Sequence, residues 1–507
     1  MPSREGSRFT RNSAFGTVAG LGGAFGSVAA NVIVAHALGV ERTGVVGFAL
    51  WVATVAAAVA DFGVQASLAR YLPELTAGGR ADDAEMLAGL LLRWLLVSGL
   101  AAMVLFSAFA WWDDGSLLWL LVGLTCVTQT LAGFTYGLLR GMQRFDAVAL
   151  LTAISVVCQL AGVAVGAVGF GTDGALAGYC AGSLVPAALA FRYAVPGGCD
   201  DAGLRAKVRR YALYYWAAAL TSAFVWSRAE LLFLQHWTGN AAVGYFTVGI
   251  TFANIAAQGS LLLTSGLLPY FAENMGKRAL PEMQAAYAAA TRMLAFLVLP
   301  VCFGIAALLP VALPLIYGSD FAPAVPAAAV MVLAAGVPAI ASASNSILMA
   351  TDRSDFIFVT GIGAAMLAVA AGLTVIPAYG VMGAAWARAA IQICAAAFGS
   401  WFVCARLGFR LPAAALARLI AAAAVCGLSA WAGLELASGA GGLVIGIAAG
   451  IVGYGVAVRV LRALDPADVA RLGTLCRGFP AGLRIVAERS LALLAPAMAV
   501  RSGCDAD

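Results

Sequence analysis

The chain has 507 residues, of which 62% are hydrophobic and 11% are charged. Soluble domains carry roughly 25% charged residues, and only a chain whose outer surface also faces lipid has a use for this much apolar surface. The net charge of +5 comes from basic residues spread over the loops, which argues against nucleic-acid binding, and ten dispersed cysteines without a CxxC pair argue against a zinc site or a disulfide framework.

Apolar segments long enough to cross a bilayer recur along the chain and predict an all-α membrane protein with about fourteen transmembrane helices. The segments are 13–37, 44–66, 86–108, 116–138, 147–168, 173–191, 212–235, 243–265, 291–314, 323–348, 356–377, 381–404, 413–434 and 441–461. The first is longer than the apolar region of a signal peptide and many segments follow it, so we interpret it as a membrane helix after a short N-terminus, 1–12.

The charges of the predicted loops alternate. Outside the apolar segments, every Lys and Arg except Arg42 lies in the N-terminus, in an even-numbered loop or in the C-terminal tail. The odd-numbered loops carry acidic residues such as Asp113 and Asp320. The positive-inside rule then places both termini in the cytoplasm, and we expect a multi-pass protein of a bacterial inner membrane.

The chain also repeats itself. Residues 35–44 match 235–244 at an offset of 200, with His36 and His236 coinciding, and Gly174-Ala175 matches Gly383-Ala384 at an offset of 209. These matches predict two six-helix halves of the same orientation, 13–210 and 211–404, around a central cavity, as in rocking transporters. The two remaining helices occupy 405–462.

The last segment, 463–507, has a different character. Asp465 followed by Pro466 is typical of a helix start. The residues beyond mix leucine and valine with arginine, which predicts a basic amphipathic tail on the cytoplasmic leaflet. A disordered tail is the alternative.

Several short segments lie in order near predicted helix boundaries within roughly residues 13–400. Among them are Ala60-Asp61-Phe62-Gly63-Val64, Leu139-Arg140-Gly141-Met142-Gln143-Arg144-Phe145, Val243-Gly244-Tyr245-Phe246 and Tyr317-Gly318-Ser319-Asp320-Phe321. Together they resemble the polysaccharide transporter branch of the multidrug/oligosaccharidyl-lipid/polysaccharide exporter superfamily. The resemblance implies a flippase that moves an undecaprenyl-diphosphate-linked oligosaccharide outward by alternating access, for exopolysaccharide or O-antigen synthesis. A lipid II flippase and a drug or cation antiporter share that superfamily and stay open.

Charged residues inside the apolar segments are costly unless they face a cavity or a partner. We expect Arg228 and Arg388 to bind the diphosphate or sugar, because guanidinium binds phosphate oxygens in pairs, and Glu230 to bind a coupling H⁺ or Na⁺. The alternative is a structural ion pair, for example between Glu230 and Arg388.

Further candidates lie nearer the cytoplasm or carry no charge. Asp61, Arg70 and Arg93 form either a cytoplasmic entry site, with Asp61 as an ion ligand, or a static charge cluster. Asn31 and Asn254 either line the cavity or join helices through hydrogen bonds.

The sequence predicts no catalytic residues and no cofactor beyond a coupling ion. The competing class is a membrane glycosyltransferase or ligase, which needs a carboxylate base beside the bilayer, and a non-transporting scaffold is a third possibility. We expect a monomer in the bilayer that binds a lipid-linked oligosaccharide and works beside a polysaccharide polymerase or glycosyltransferase complex.

Overall fold

The structure is a computed structural model that describes residues 2–113, 116–193, 201–226, 229–258, 260, 264, 267–276, 280–351, 353–465 and 468–469. Its described residues form α-helices and two short 3-10 turns. The helices are α1 (Pro2–Ala60), α2 (Val64–Ala77), α3 (Ala81–Trp112), α4 (Leu117–Gly141), α5 (Phe145–Ala190), α6 (Ala202–Trp226), α7 (Glu230–Trp237), α8 (Asn240–Ala257), α9 (Leu267–Gly276), α10 (Leu280–Tyr317), α11 (Val325–Ala350), α12 (Ser354–Leu407), α13 (Ala413–Leu434) and α14 (Gly439–Val460). The turns are Phe191–Tyr193 and Ser319–Ala324.

Nine stretches of the described residues are long and apolar enough to span a bilayer. They are Ala19–Ala60, Ala81–Trp112, Leu117–Gly141, Phe145–Ala190, Leu280–Tyr317, Ser319–Ala350, Asp355–Leu407, Ala413–Leu434 and Gly439–Val460. The chain is therefore a multi-pass, all-α membrane protein, as predicted. The predicted number of fourteen spans does not follow from these nine stretches, and the orientation of the termini stays a prediction.

Three of these stretches are too long for one crossing. They contain 42, 46 and 53 residues, which as straight helices would measure more than roughly 60 Å at 1.5 Å per residue, against about 30 Å of hydrocarbon. Each contains one glycine with a non-helical backbone: Gly39 (φ 75°, ψ −178°), Gly171 (φ 64°, ψ −135°) and Gly380 (φ 54°, ψ −132°).

Helix α5 reverses direction at Gly171. A Cβ added at Gly166 would overlap the carbonyl of Gly174, and one added at Gly162 would lie 2.9 Å from Cα of Gly178. In a straight helix the rise from position 166 to position 174 would separate these backbones by about 12 Å. Helix α5 is therefore a hairpin whose two arms pack backbone to backbone through small residues.

The local backbone repeats at the two offsets found in the sequence. Gly39 and Gly239, a pair at the first offset, have φ of 75° and 84°. Gly171 and Gly380, a pair at the second offset, share nearly the same φ and ψ. The turns after α4 and α11 also match, because the amide of Arg144 donates to the carbonyl of Leu139 at 2.9 Å, and that of Arg353 to Leu348 at 3.0 Å.

Matching positions of the repeat also face each other across α1 and α8. A Cβ at Gly44 would overlap the carbonyl of Asn240, a Cβ at Gly244 would lie 2.5 Å from the carbonyl of Val40, and a Cβ at Gly47 would lie 2.9 Å from Oγ1 of Thr247. Because residue 40 corresponds to 240 and 44 to 244, this contact has local twofold character. The division into halves at 13–210 and 211–404 stays a prediction.

The chain forms two compact units, Met1–Thr247 with Gly361–Val381, and Val248–Thr360 with Met382–Asp507. In the first unit, α2 packs on α3 and α4 around buried side chains such as Tyr71, Leu91 and Phe134. In the second, α10 and α11 enclose Tyr287 and Ile347.

The start of the predicted tail is anchored inside the second unit. The amides of Asp468 and Val469 donate to the carbonyl of Asp465 at 2.9 and 3.2 Å. Arg292 of α10 donates to both carboxylate oxygens of Asp468, at 2.7 and 2.9 Å, and the Asp468 side chain is fully buried. The rest of the predicted tail, beyond residue 469, lies outside the described residues.

Candidate functional site

The predicted seventh membrane segment, 212–235, is described by the structure in two helical parts. Helix α6 ends at Trp226 and α7 begins at Glu230, and the amide of Leu232 donates to the carbonyl of Ala229 at 3.1 Å. Arg228, one of the predicted ligands, lies outside the described residues. Of the predicted charge cluster, Glu230 therefore lies within the described residues, at the start of α7.

Glu230 is buried at the first position of α7, with 4% of its surface exposed. A helix N-terminus offers backbone N–H groups without helical acceptors and a partial positive charge, and both favour a carboxylate. Glu230 also has an interaction with the rest of the protein. A buried carboxylate in a predicted membrane segment suits the predicted ion-binding role and equally suits a structural role.

Arg388 lies in the second compact unit, on the part of α12 that follows Gly380. It is half-buried between the buried residues Ala387 and Ala389, and it has an interaction within the protein. Glu230 belongs to the first unit. Whether Arg388 pairs with Glu230 or binds a ligand stays a prediction.

Arg70 lies in a cluster of cationic and aromatic side chains at the junction of α2 and α6. Its guanidinium is 4.6 Å from the ring centroid of Tyr211 and 5.6 Å from that of Tyr71. The ammonium of Lys207 is 5.4 Å from the Tyr71 ring and 3.2 Å from a carboxylate oxygen of Glu74. Arg70 is exposed, so it is available to an anionic headgroup while its aromatic neighbours hold it in place.

A small polar cavity of about 300 Å³ adjoins this cluster. At its edge Arg80 pairs with Asp83 at 2.6 Å and with Asp201 at 2.9 Å. The pKa of Asp201 is lowered, first by the backbone N–H of Leu204, which donates to it at 2.9 Å, and then by Arg80. Asp201 thus caps the start of α6 and ties it to the start of α3.

Asp61 and Arg93, the other two charges predicted near the cytoplasm, lie in different settings. Asp61 is half-buried in the turn between α1 and α2, where its carboxylate accepts the amide of Gln65 at 3.4 Å. Arg93 is exposed on α3 and has an interaction within the protein. The part of α3 between Arg93 and Trp112 is about 30 Å long at 1.5 Å per residue, which is one full crossing of the hydrocarbon. The depth of Arg93 in the membrane and its role stay predictions.

The two predicted asparagines also differ. Asn31 is half-buried in α1 and has an interaction within the protein, whereas Asn254 is exposed on α8. Tyr71, Lys207 and Tyr211 were not among the site residues predicted from the sequence. The i, i+4 spacing of Lys207 and Tyr211 on a basic helix end indicated a shared face, but the approach of Tyr71 from α2 had no signal in the sequence.

The chain resembles known proteins both in a family match and in its fold. Residues 9–275 match the family model described as "Polysaccharide biosynthesis protein". Comparison with curated protein sequences finds no match. Among solved structures, the chain is similar to a lipid II flippase MurJ in an inward closed conformation, with 13% identity, a TM-score of 0.70 and coverage of 87% of this chain and 98% of that one.

Two other solved structures share the fold more distantly. A multidrug resistance MATE family transporter of the MOP superfamily, in an inward-facing conformation, matches with 16% identity and a TM-score of 0.59 over 76% of this chain and 94% of that one. A MOP superfamily transporter from Pyrococcus furiosus matches with 14% identity and a TM-score of 0.53, over 79% and 95%. At these identities the likenesses establish the fold.

Proposed function

The chain belongs to the polysaccharide biosynthesis protein family and has the fold of the multidrug/oligosaccharidyl-lipid/polysaccharide exporter superfamily, and on that premise we propose that it is a flippase for a lipid-linked oligosaccharide. The proposed cargo is an undecaprenyl-diphosphate-linked glycan of a cell-surface polysaccharide pathway. The protein is then a transporter that breaks no covalent bond in its cargo.

The observation that carries this proposal is the buried carboxylate of Glu230, which lies at the start of α7 within the predicted membrane segment 212–235. A flippase needs a polar route for the sugar diphosphate and an energy source to drive it. We propose that Glu230 binds the coupling H⁺ or Na⁺ and that Arg228 and Arg388 bind the diphosphate. A charge at such a position is retained where it serves a substrate or ion pathway.

We further propose fourteen membrane spans. Dividing the three longest stretches at Gly39, Gly171 and Gly380 turns nine candidate spans into twelve. The segments α6–α7 and α8–α9 supply the other two. The matching backbone at the two sequence offsets supports two six-helix halves, and the alternating loop charge supports cytoplasmic termini.

The test is genetic complementation in cells that lack this protein. We expect the Glu230→Gln variant to reach normal membrane abundance and to leave the lipid-linked oligosaccharide in the cytoplasmic leaflet, because the neutral amide loses the charge that binds the ion. The control is Glu435→Gln, which changes an exposed carboxylate after α13 and should complement fully. Full complementation by Glu230→Gln would contradict the coupling role, and lost abundance would assign Glu230 to the structural ion pair.

A lipid II flippase is the second candidate. The likeness to MurJ covers nearly all of that chain, with a higher TM-score than the likeness to the MATE transporters given above. Accumulation of lipid II rather than of an oligosaccharide lipid in the same cells would favour this candidate.

A further inference from the structure

A groove of about 800 Å³ lies in the first compact unit, between the second part of α1, helix α3 and the start of α6. We call it the α3 groove. It opens on the surface, since Val97 is 70%, Leu105 54% and Leu213 47% exposed. Of its lining residues only Ser98 and Arg209 have a hydroxyl or a charge, and the Ser98 hydroxyl already donates to the carbonyl of Ala60 at 2.8 Å.

The length of the α3 groove corresponds to one leaflet. Its lining on α3 runs from Trp94 to Phe106, which is about 18 Å at 1.5 Å per residue. Half of the hydrocarbon core is about 15 Å. An acyl chain of a phospholipid therefore fits its length, whereas the much longer prenyl tail of a lipid-linked sugar does not.

The position of the α3 groove indicates the cytoplasmic leaflet. Helix α3 ends at Trp111 and Trp112, which are 83% and 86% exposed, as is typical of a membrane interface. A span of about 20 residues, counted back from there, puts Trp94 near the opposite interface. That interface is the side of the basic start of α6, which the positive-inside rule assigns to the cytoplasm.

The mouth of the α3 groove is cationic and aromatic. Arg209 lines it and is exposed. Within the part of the chain that the structure describes, no carboxylate forms an ion pair with Arg209. Phe62 stacks on Trp216 at 5.0 Å, and the indole N–H of Trp216 donates to the carbonyl of Val59 at 2.9 Å, so the aromatic rim is fixed.

We propose that the α3 groove binds one anionic phospholipid of the cytoplasmic leaflet, with its phosphate on Arg209 and an acyl chain along α3. The apolar lining excludes water as a stable occupant. The exposed guanidinium matches a phosphate, which it binds through two hydrogen bonds. This lipid is distinct from the transported cargo, and the proposal does not depend on the flippase activity.

The test is native mass spectrometry of the full chain released from nanodiscs of phosphatidylglycerol and phosphatidylcholine. We expect the wild type to retain one phosphatidylglycerol. Arg209→Gln should lower the retained fraction at least about tenfold, because it removes a charge-assisted hydrogen bond. Ala101→Trp should have a similar effect, because Ala101 lines the groove and the indole fills it.

Two matched variants serve as controls. Arg210→Gln removes the neighbouring cation, which lies 5.9 Å from the Tyr214 ring and does not line the groove. Val104→Trp adds an indole to the same helix at a position that is 62% exposed and also outside the groove. Both should retain the lipid as the wild type does.

Three results would overturn the proposal. One is undiminished retention in both Arg209→Gln and Ala101→Trp, and another is an equal loss in the two controls. The third is retention of phosphatidylcholine or of an isoprenoid phosphate in preference to phosphatidylglycerol.

Discussion

At the scale of single residues, the pair formed by Arg292 and Asp468 is a largely buried contact between opposite charges. Both carboxylate oxygens accept hydrogen bonds from one guanidinium, and the Asp468 side chain is fully buried while that of Arg292 is 14% exposed. Asp465 lies 3.6 Å from the same guanidinium. The pair therefore holds the segment that follows α14 against α10.

We expect Asp468→Asn to destabilise the protein by about 1.5–3 kcal/mol, because it weakens the charge-assisted hydrogen bonds to Arg292, while Asp465 at 3.6 Å still compensates part of that charge. The loss is measurable as a lower midpoint of denaturation in detergent. The control is Glu74→Gln, which breaks the pair with Lys207 at a site where both side chains are 57% exposed. Exposed ion pairs contribute little to stability. Similar midpoints of denaturation for Asp468→Asn and Glu74→Gln would therefore contradict the account.

At the scale of helices, glycines without helical backbone decide how the long apolar stretches are divided. The two arms of α5 meet through Gly166 and Gly174, and Gly171 makes the reversal without any intervening loop. A positive φ with ψ of −135° is nearly restricted to glycine. The reversal is therefore encoded by one residue.

We expect Gly171→Ala to destabilise the protein by about 1–3 kcal/mol through backbone strain. The matched control is Gly169→Ala, in the helical arm just before the reversal, where an added Cβ would meet nothing within 4 Å. Alanine is the better helix former by roughly 0.5–1 kcal/mol, so the control should leave stability unchanged or raise it. Thermal melting should show a lower melting temperature for Gly171→Ala and an unchanged or higher one for Gly169→Ala. Equal changes in melting temperature would contradict the hairpin.

Glycine positions explain why much of the fold is predictable from the sequence. The two offsets of the repeat were visible in the sequence through Gly39 with Gly239 and through Gly174 with Gly383. The second offset recurs in the backbone at Gly171 and Gly380. The boundaries predicted from the sequence at 37/44, 168/173 and 377/381 each enclose one of the three glycines with non-helical backbone. The sequence therefore indicated where the long helical stretches divide as well as the fold class.

The candidate site was less predictable, because its contacts join residues that are distant in the chain. Its position inside an apolar segment identified Glu230 as a charge that is costly to place in a membrane, and the structure buries this side chain. Arg93, predicted to belong to a cytoplasmic entry site or to a static charge cluster, is exposed on α3 and has an interaction within the protein, so both alternatives stay predictions. The packing of Arg70 against Tyr211 depends on how α2 meets α6, which sequence spacing does not specify.

At the scale of the whole molecule, the family match and the fold identify a membrane transporter. Residues 9–275 match the polysaccharide biosynthesis family, and the fold is that of exporters and a lipid flippase. Matching helix positions meet across α1 and α8 with local twofold character. Internal repeats are common in secondary transporters.

The central claim is translocation of a lipid-linked oligosaccharide, and it is tested by reconstitution of the purified chain into vesicles. A fluorescent undecaprenyl-diphosphate oligosaccharide is loaded into one leaflet, and its exposure on the other side is followed with a membrane-impermeant reagent. We predict exposure far faster than in protein-free vesicles, accelerated by a proton or sodium gradient in the wild type and not in Glu230→Gln. Exposure no faster than in protein-free vesicles, with the folded protein present and either gradient applied, would contradict the account.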